Sequence, residues 1–414
     1  MSAPGPATVD LASRWLGGTV VAASDESFGD KENLLTPGAP AFDPGRYGNH
    51  GEIVDGWETR RRRKSGHDWV IIRLGAPGII SGVTVDTTYF TGNYPEHCAL
   101  HACGHEGYPG PDELTGDAAD WIEIVPRCPL RGDCENAFAV TDPRRFTHVR
   151  LSAYPDGGVA RLRVNGHVVP DPRGLEDLTV DLLSQSLGGL VAASSDDYFS
   201  GAAALNRPGL ARTMGEGWET RRRRDTGHDF VLFRLGLAGQ VRRLIVDTSF
   251  FRYNASDSVA VYGGAEDQLL AARSSCWQPI LPRTRVQPDT RHEFAVQLRE
   301  PVAAIRLDAF PDGGLSRVRA IGSIDQAARR IAGYRWFNAL PAAQAVAALV
   351  AEGIPADDAA KLVSGRPLGL SRPEPAGSDP PRRGGAADHG ALLAILEGRH
   401  PPGRRGEESA TAQP

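Results

Sequence analysis

Apolar and polar positions in this chain follow two regimes. Up to about residue 325 they form short runs with a two-residue period; beyond it they take helical spacing. Asp68–Leu74 (DWVIIRL) and Gly82–Thr88 (GVTVDTT) are β-branched and bounded by glycine, which predicts two short strands. His148–Ala153 alternates and runs into a Pro-Asp-Gly-Gly turn. Val159–Gly166 alternates again, with Val159, Leu162 and Val164 as its apolar positions. Ile324–Tyr334, Ala342–Glu352 and Ala356–Val363 are Ala-rich and helical in period, and Pro341 sits where a helix can begin. Arg372–Gly385 is low in complexity and predicts disorder, with a last short helix over Asp388–Leu396.

The strand-rich part is written twice. GWETRRRR stands at Gly56–Arg63 and again at Gly217–Arg224, and a Gly-His-Asp follows each copy (Gly66-His67-Asp68, Gly227-His228-Asp229). Trp57 pairs with Trp218, Asp86-Thr87 with Asp247-Thr248, Asn93 with Asn254, and Asp156-Gly157-Gly158 with Asp312-Gly313-Gly314. Each unit is of ordinary domain size. Many short strands with Gly/Pro turns and no long helical period argue for an all-β antiparallel sandwich. The expected layout is one module over residues 8–168, a second over 175–325, and a short helical, partly disordered tail over 326–414.

Composition narrows the function. Of 414 residues, 41% are apolar and 23% charged, ordinary for a soluble globular protein. No apolar stretch is long enough to span a bilayer, and no secretory signal is visible. The net charge of −5 offers no general field to nucleic acid. Four of the five cysteines lie in the first unit, so a shared disulfide framework is not expected, and a cytoplasmic setting is. Walker A, G-x-S-x-G, H-E-x-x-H and Rossmann fingerprints are absent.

The charged motif is the candidate site. If Gly56–Arg63 is extended, Glu58, Arg60 and Arg62 share one face, with Trp57, Thr59, Arg61 and Arg63 on the other. Charge on both faces excludes the middle of a core, so the run is an edge, a loop or the wall of a polar cleft. A solvated run would explain one copy. Two identical copies argue against it, because solvent-facing charges are free to drift apart. His67 is either a turn cap or an acid/base residue. Asp25 is either a turn residue or faces the site. Asp86, ending an apolar strand, needs a partner, and an arginine of the run is the expected one. His97, His101, Cys103 and His105 would share a strand face, but their spacing fits no standard zinc pattern and the second unit lacks them. No residue is assigned as a metal ligand.

DGWETRRRRKSGHDWVIIRLG (Asp55–Gly75), VDTTYFTGNYP (Val85–Pro95) and AYPDGGVARLRVNG (Ala153–Gly166) resemble the allantoicase family, as does the second copy from Glu216 to Gly236. The resemblance spans about residues 8–325. It implies two tandem jelly-roll modules of the galactose-binding-like kind, hydrolysis of allantoate to ureidoglycolate and urea, and a homo-oligomer. No organic cofactor is expected, and a divalent metal such as manganese is left open. The second copy departs where Thr91-Gly92-Asn93-Tyr94-Pro95 becomes Arg252-Tyr253-Asn254-Ala255-Ser256, which favours the first copy as the catalytic one. The residues themselves suggest roles suited to a carboxylate flanked by two ureido groups. Arg60 and Arg62 would bind the carboxylate, Glu58, His67 and Asp25 would supply acid/base groups, and Asn93 and Asp156 would shape the pocket. A non-catalytic ligand- or carbohydrate-binding jelly-roll protein is the competing reading, and a decayed enzyme the third.

Overall fold

The computed structural model describes residues 8–48, 51–116, 119–175, 177–269, 277–296 and 298–368. The expected disorder of Arg372–Gly385 and helix at Asp388–Leu396 lie outside them.

Each repeat is a two-layer antiparallel sandwich of jelly-roll type. In repeat 1 its spine is one 19-residue strand, Asp68–Asp86. The first half pairs with Thr19–Ala23 and Arg145–Tyr154, and the sheet continues through His97–Cys103 to Ile122–Pro129. The second half pairs with Arg161–Val168 and Glu135–Ala139, and Val9–Asp10 closes that sheet. The two short strands expected at Asp68–Leu74 and Gly82–Thr88 are therefore a single strand that passes from one sheet to the other. The Gly75-Ala76-Pro77-Gly78 segment reads as a break but is the crossing point. A Cβ on Gly75 would lie 2.6 Å from the Leu16 carbonyl carbon, and one on Gly78 2.3 Å from the His167 oxygen. The backbones approach so closely there that only glycine fits.

Repeat 2 copies this plan around Asp229–Asp247. Alternation decides what is buried. In Arg161–Val168 the apolar Leu162, Val164 and Val168 enter the core with Val70, Ile72, Val85 and Trp57. Repeat 2 has a separate core around Trp218, Phe233, Val246 and Leu307.

Helices Gln326–Ala339, Ala342–Ala351 and Ala356–Ser364 follow. Asp325 caps the first by accepting from the Ala327 and Ala328 amides at 2.9 and 3.1 Å. They fold back onto repeat 1, where Trp336, Phe337, Leu340 and Leu349 cluster with Val169 and Ile79. No described helix is long and apolar enough to cross a membrane.

Candidate functional site

The charged run is built as a wall. Trp57 and Glu58 form a two-residue strand against Gly158–Val159. Trp57 is fully buried, and its indole donates to the Asp25 carbonyl at 2.8 Å. Thr59 is buried too, its hydroxyl accepting the Gly157 amide at 3.1 Å. Gly157 has φ +135° and abuts the Asn93–Pro95 backbone, so the Asp-Gly-Gly turn needs glycine. The chain then leaves the sheet, and Arg60–Lys64 line an open cleft of about 680 Å³ with Ser24, Asp25, Phe28 and Asp68.

Carboxylates hold the run in place. Asp25 accepts from the Arg60 amide at 2.9 Å, the Ser27 amide at 3.0 Å and the Ser27 hydroxyl at 2.9 Å, and Arg60 Nε lies 2.9 Å away. Burial pushes its proton affinity up, but these hydrogen bonds and the Arg60 charge outweigh it, and the carboxyl ends below the ordinary aspartate range. Asp156 accepts from the Arg62 amide at 2.7 Å. Asp68 is buried and takes Arg62 Nη1 at 2.5 Å and the Ser24 hydroxyl at 3.0 Å.

Glu58 sits beside this wall. Its backbone bridges Gly29, next to Phe28 of the cleft rim, and its carboxylate accepts from Asn93 Nδ2 at 2.7 Å. Burial raises its proton affinity, and the Asn93 bond only partly offsets that. His67 points elsewhere. Its ring packs on Tyr154 at 4.4 Å on the outer sheet face, and it is not among the cleft's lining residues. Burial, with the Arg150 and Arg62 charges, lowers its proton affinity below that of an ordinary imidazole. Arg60, Arg62, Asp25 and Asp156 are thus brought together, Glu58 and Asn93 form a neighbouring pair, and His67 lies across the strand. The partner expected for Asp86 is corrected. Its carboxylate accepts the Thr88 amide at 2.9 Å, and it makes no ion pair with the run, which has left the sheet by then.

Asp68 and Lys64 are among the lining residues that had no expected role. Repeat 2 shows why they matter. There Asp225 replaces Lys64 and meets Arg223 Nε at 3.1 Å, while Thr220 donates to Asp229 Oδ2 at 2.6 Å. In repeat 1 the matching atoms, Arg62 Nε and Asp68 Oδ2, are buried and have no hydrogen-bond partner among the described residues. Five cations face two carboxylates in repeat 1, whereas four face three in repeat 2. The signal was in the sequence, as the one charge reversal within the repeated motif. This donor set does not suit a divalent cation, because both carboxylates of the cleft are already paired to arginine. Among the described residues no group of three or more His, Cys, Asp and Glu side chains is arranged to hold one.

The chain matches the allantoicase repeat model twice, over residues 9–169 and 180–325. It is 45% identical over 339 residues to a probable allantoicase of Streptomyces coelicolor, covering 77% of this chain and 87% of that one. It is 46% identical over 317 residues to one of Nocardia farcinica, covering 76% and 94%. The crystal structure of allantoicase from Saccharomyces cerevisiae matches with a TM-score of 0.66 at 33% identity, covering 76% of this chain and 93% of that one. The repeated motif, the paired sandwiches and these matches together place the chain in the allantoicase family.

Proposed function

We propose that the repeat 1 cleft binds allantoate and hydrolyses it to ureidoglycolate and urea. The observation that carries this reading is the pair of unpartnered buried atoms, Asp68 Oδ2 and Arg62 Nε, whose counterparts in repeat 2 are satisfied by the protein itself. A buried polar group without a partner costs about 1–3 kcal/mol, which a ligand that pairs it recovers. Allantoate offers the complementary groups. Its carboxylate suits the guanidinium wall of Arg60 and Arg62, and its ureido N–H groups suit Asp68 Oδ2.

The reaction breaks one carbon–nitrogen bond. The departing urea nitrogen must gain a proton, and the carbon must gain the hydroxyl of water. Of the expected acid/base residues, Glu58 alone has its proton affinity raised, so it is assigned the donation; the incoming water returns a proton to it. Asn93 holds its carboxyl, while Asp25 and Asp156 position the arginines. In this reading the chain is a cytoplasmic homo-oligomer, and the free state of the four described cysteines supports the reducing compartment. Size-exclusion chromatography with light scattering checks the oligomer.

Urea release from allantoate by the purified protein tests the function. Glu58→Gln should lower kcat by about 10²–10⁴-fold with unchanged thermal unfolding. Near-normal turnover would remove Glu58 from the chemistry. No release by folded wild-type protein would favour the non-catalytic reading.

A further inference from the structure

A second site rich in basic side chains lies at the seam between the repeats and the tail, with Arg335 contributed from beyond the family match. His167 of repeat 1, Arg234 of repeat 2 and Arg335 of the helix Gln326–Ala339 line one small cleft of about 30 Å³. The other lining residues are Val9, Val168, Leu190 and the glycines Gly166, Gly188 and Gly236; none is acidic. The Arg335 guanidinium makes no hydrogen bond or ion pair with any described residue. Arg234 has one ion pair, to Glu266 at 3.5 Å, and that carboxylate is largely exposed.

The repeat supplies an internal comparison. Arg73 holds the place of Arg234 in repeat 1. There it donates to the Gly17 carbonyl at 2.9 Å and lies over the Tyr108 ring. Arg234 donates no such bond to Gly188, the counterpart of Gly17, and is met instead by a second arginine from the tail. Burial and then the neighbouring charges depress the proton affinities of His167 and Arg335 alike. Two guanidiniums with only the exposed Glu266 as counter-charge repel one another, and water screens them poorly in a narrow cleft.

We propose that this seam is a binding site for a small oxyanion of about the size of inorganic phosphate. The volume exceeds what one water needs, so the cleft admits oxygens of such a group. Guanidinium pairs grip planar and tetrahedral oxyanions through paired N–H donors. Because the three side chains come from three separate parts of the chain, the bound anion ties the tail to both sandwiches.

The test is calorimetric titration and thermal unfolding of the full chain with inorganic phosphate, with chloride at matched ionic strength as the control. Wild type should bind phosphate saturably, and its unfolding midpoint should rise by about 5 °C at 100-fold excess over Kd. Arg335→Gln and Arg234→Gln should each weaken phosphate binding at least tenfold and abolish the saturable rise. Allantoate turnover by Arg335→Gln without phosphate should match wild type, which shows that variant to be folded. Equal phosphate binding by wild type and both variants, or an equal effect of chloride, would overturn the site.

Discussion

Lys64 and Asp225 hold the same place in the two repeats and carry opposite charge, and much of the functional argument follows from that reversal. Asp225 fills the fork of Arg223 and leaves nothing for a ligand to complete. Lys64 adds a cation and leaves Arg62 Nε open. Lys64→Asp should therefore make repeat 1 resemble repeat 2, raising KM for allantoate by about tenfold or more, as a competing carboxylate occupies the arginines. Steady-state kinetics with intact thermal unfolding checks this. Glu58 adds a pH dependence. Its raised proton affinity keeps the acid form present to higher pH than an ordinary glutamate, so kcat should fall as pH rises through that value. An alkaline limb of the same midpoint in Glu58→Gln would exclude Glu58 as its source. At this scale the sequence was legible for residue types but left open which of the charged side chains reach the cleft. Adjacent residues in a strand face opposite ways, so His67 and Asp68 serve different surfaces although they form one motif.

The elements were legible wherever alternation was clean. Leu162–Val168 alternates in burial along the strand Arg161–Val168. The long strand was misread because glycine and proline normally mark the end of a strand, whereas here they permit a close crossing between sheets. Gly75→Ala should destabilise repeat 1 severely, since its Cβ would meet backbone rather than a movable side chain. Strand Arg145–Tyr154 also carries a pH-sensitive group. His148 is buried, and burial, followed by the His105 and Arg73 charges, lowers its pKa to about 4 from 6.5. The folded state therefore binds fewer protons than the unfolded state between these values. Its stability is complete above about pH 6.5 and falls progressively towards pH 4, by roughly 3 kcal/mol from this group. Denaturant unfolding across that range should show this slope in wild type and a shallower one in His148→Gln.

The whole molecule is two sandwiches joined by a clasp that composition alone did not reveal. Helical spacing announced the helices but not their docking, because an Ala-rich amphipathic segment reads the same whether it packs or not. Trp336, Phe337 and Leu340 bury against repeat 1 beside Val169, so the tail fastens the end of repeat 2 to the other module. Trp336→Ala should cost about 3–5 kcal/mol where it packs, and ending the chain after Ile324 should lower the unfolding midpoint and expose the Val169 surface to a hydrophobic dye. Neither change touches the Arg60–Lys64 cleft, and turnover by folded protein at low temperature should survive both. The central claim is that one of two nearly identical motifs is catalytic. The most direct measurement compares urea release from allantoate by Arg62→Gln and Arg223→Gln. The account predicts a loss of about 10²-fold in kcat/KM for Arg62→Gln and near wild-type turnover for Arg223→Gln. Equal losses, or a larger loss from Arg223→Gln, would contradict it.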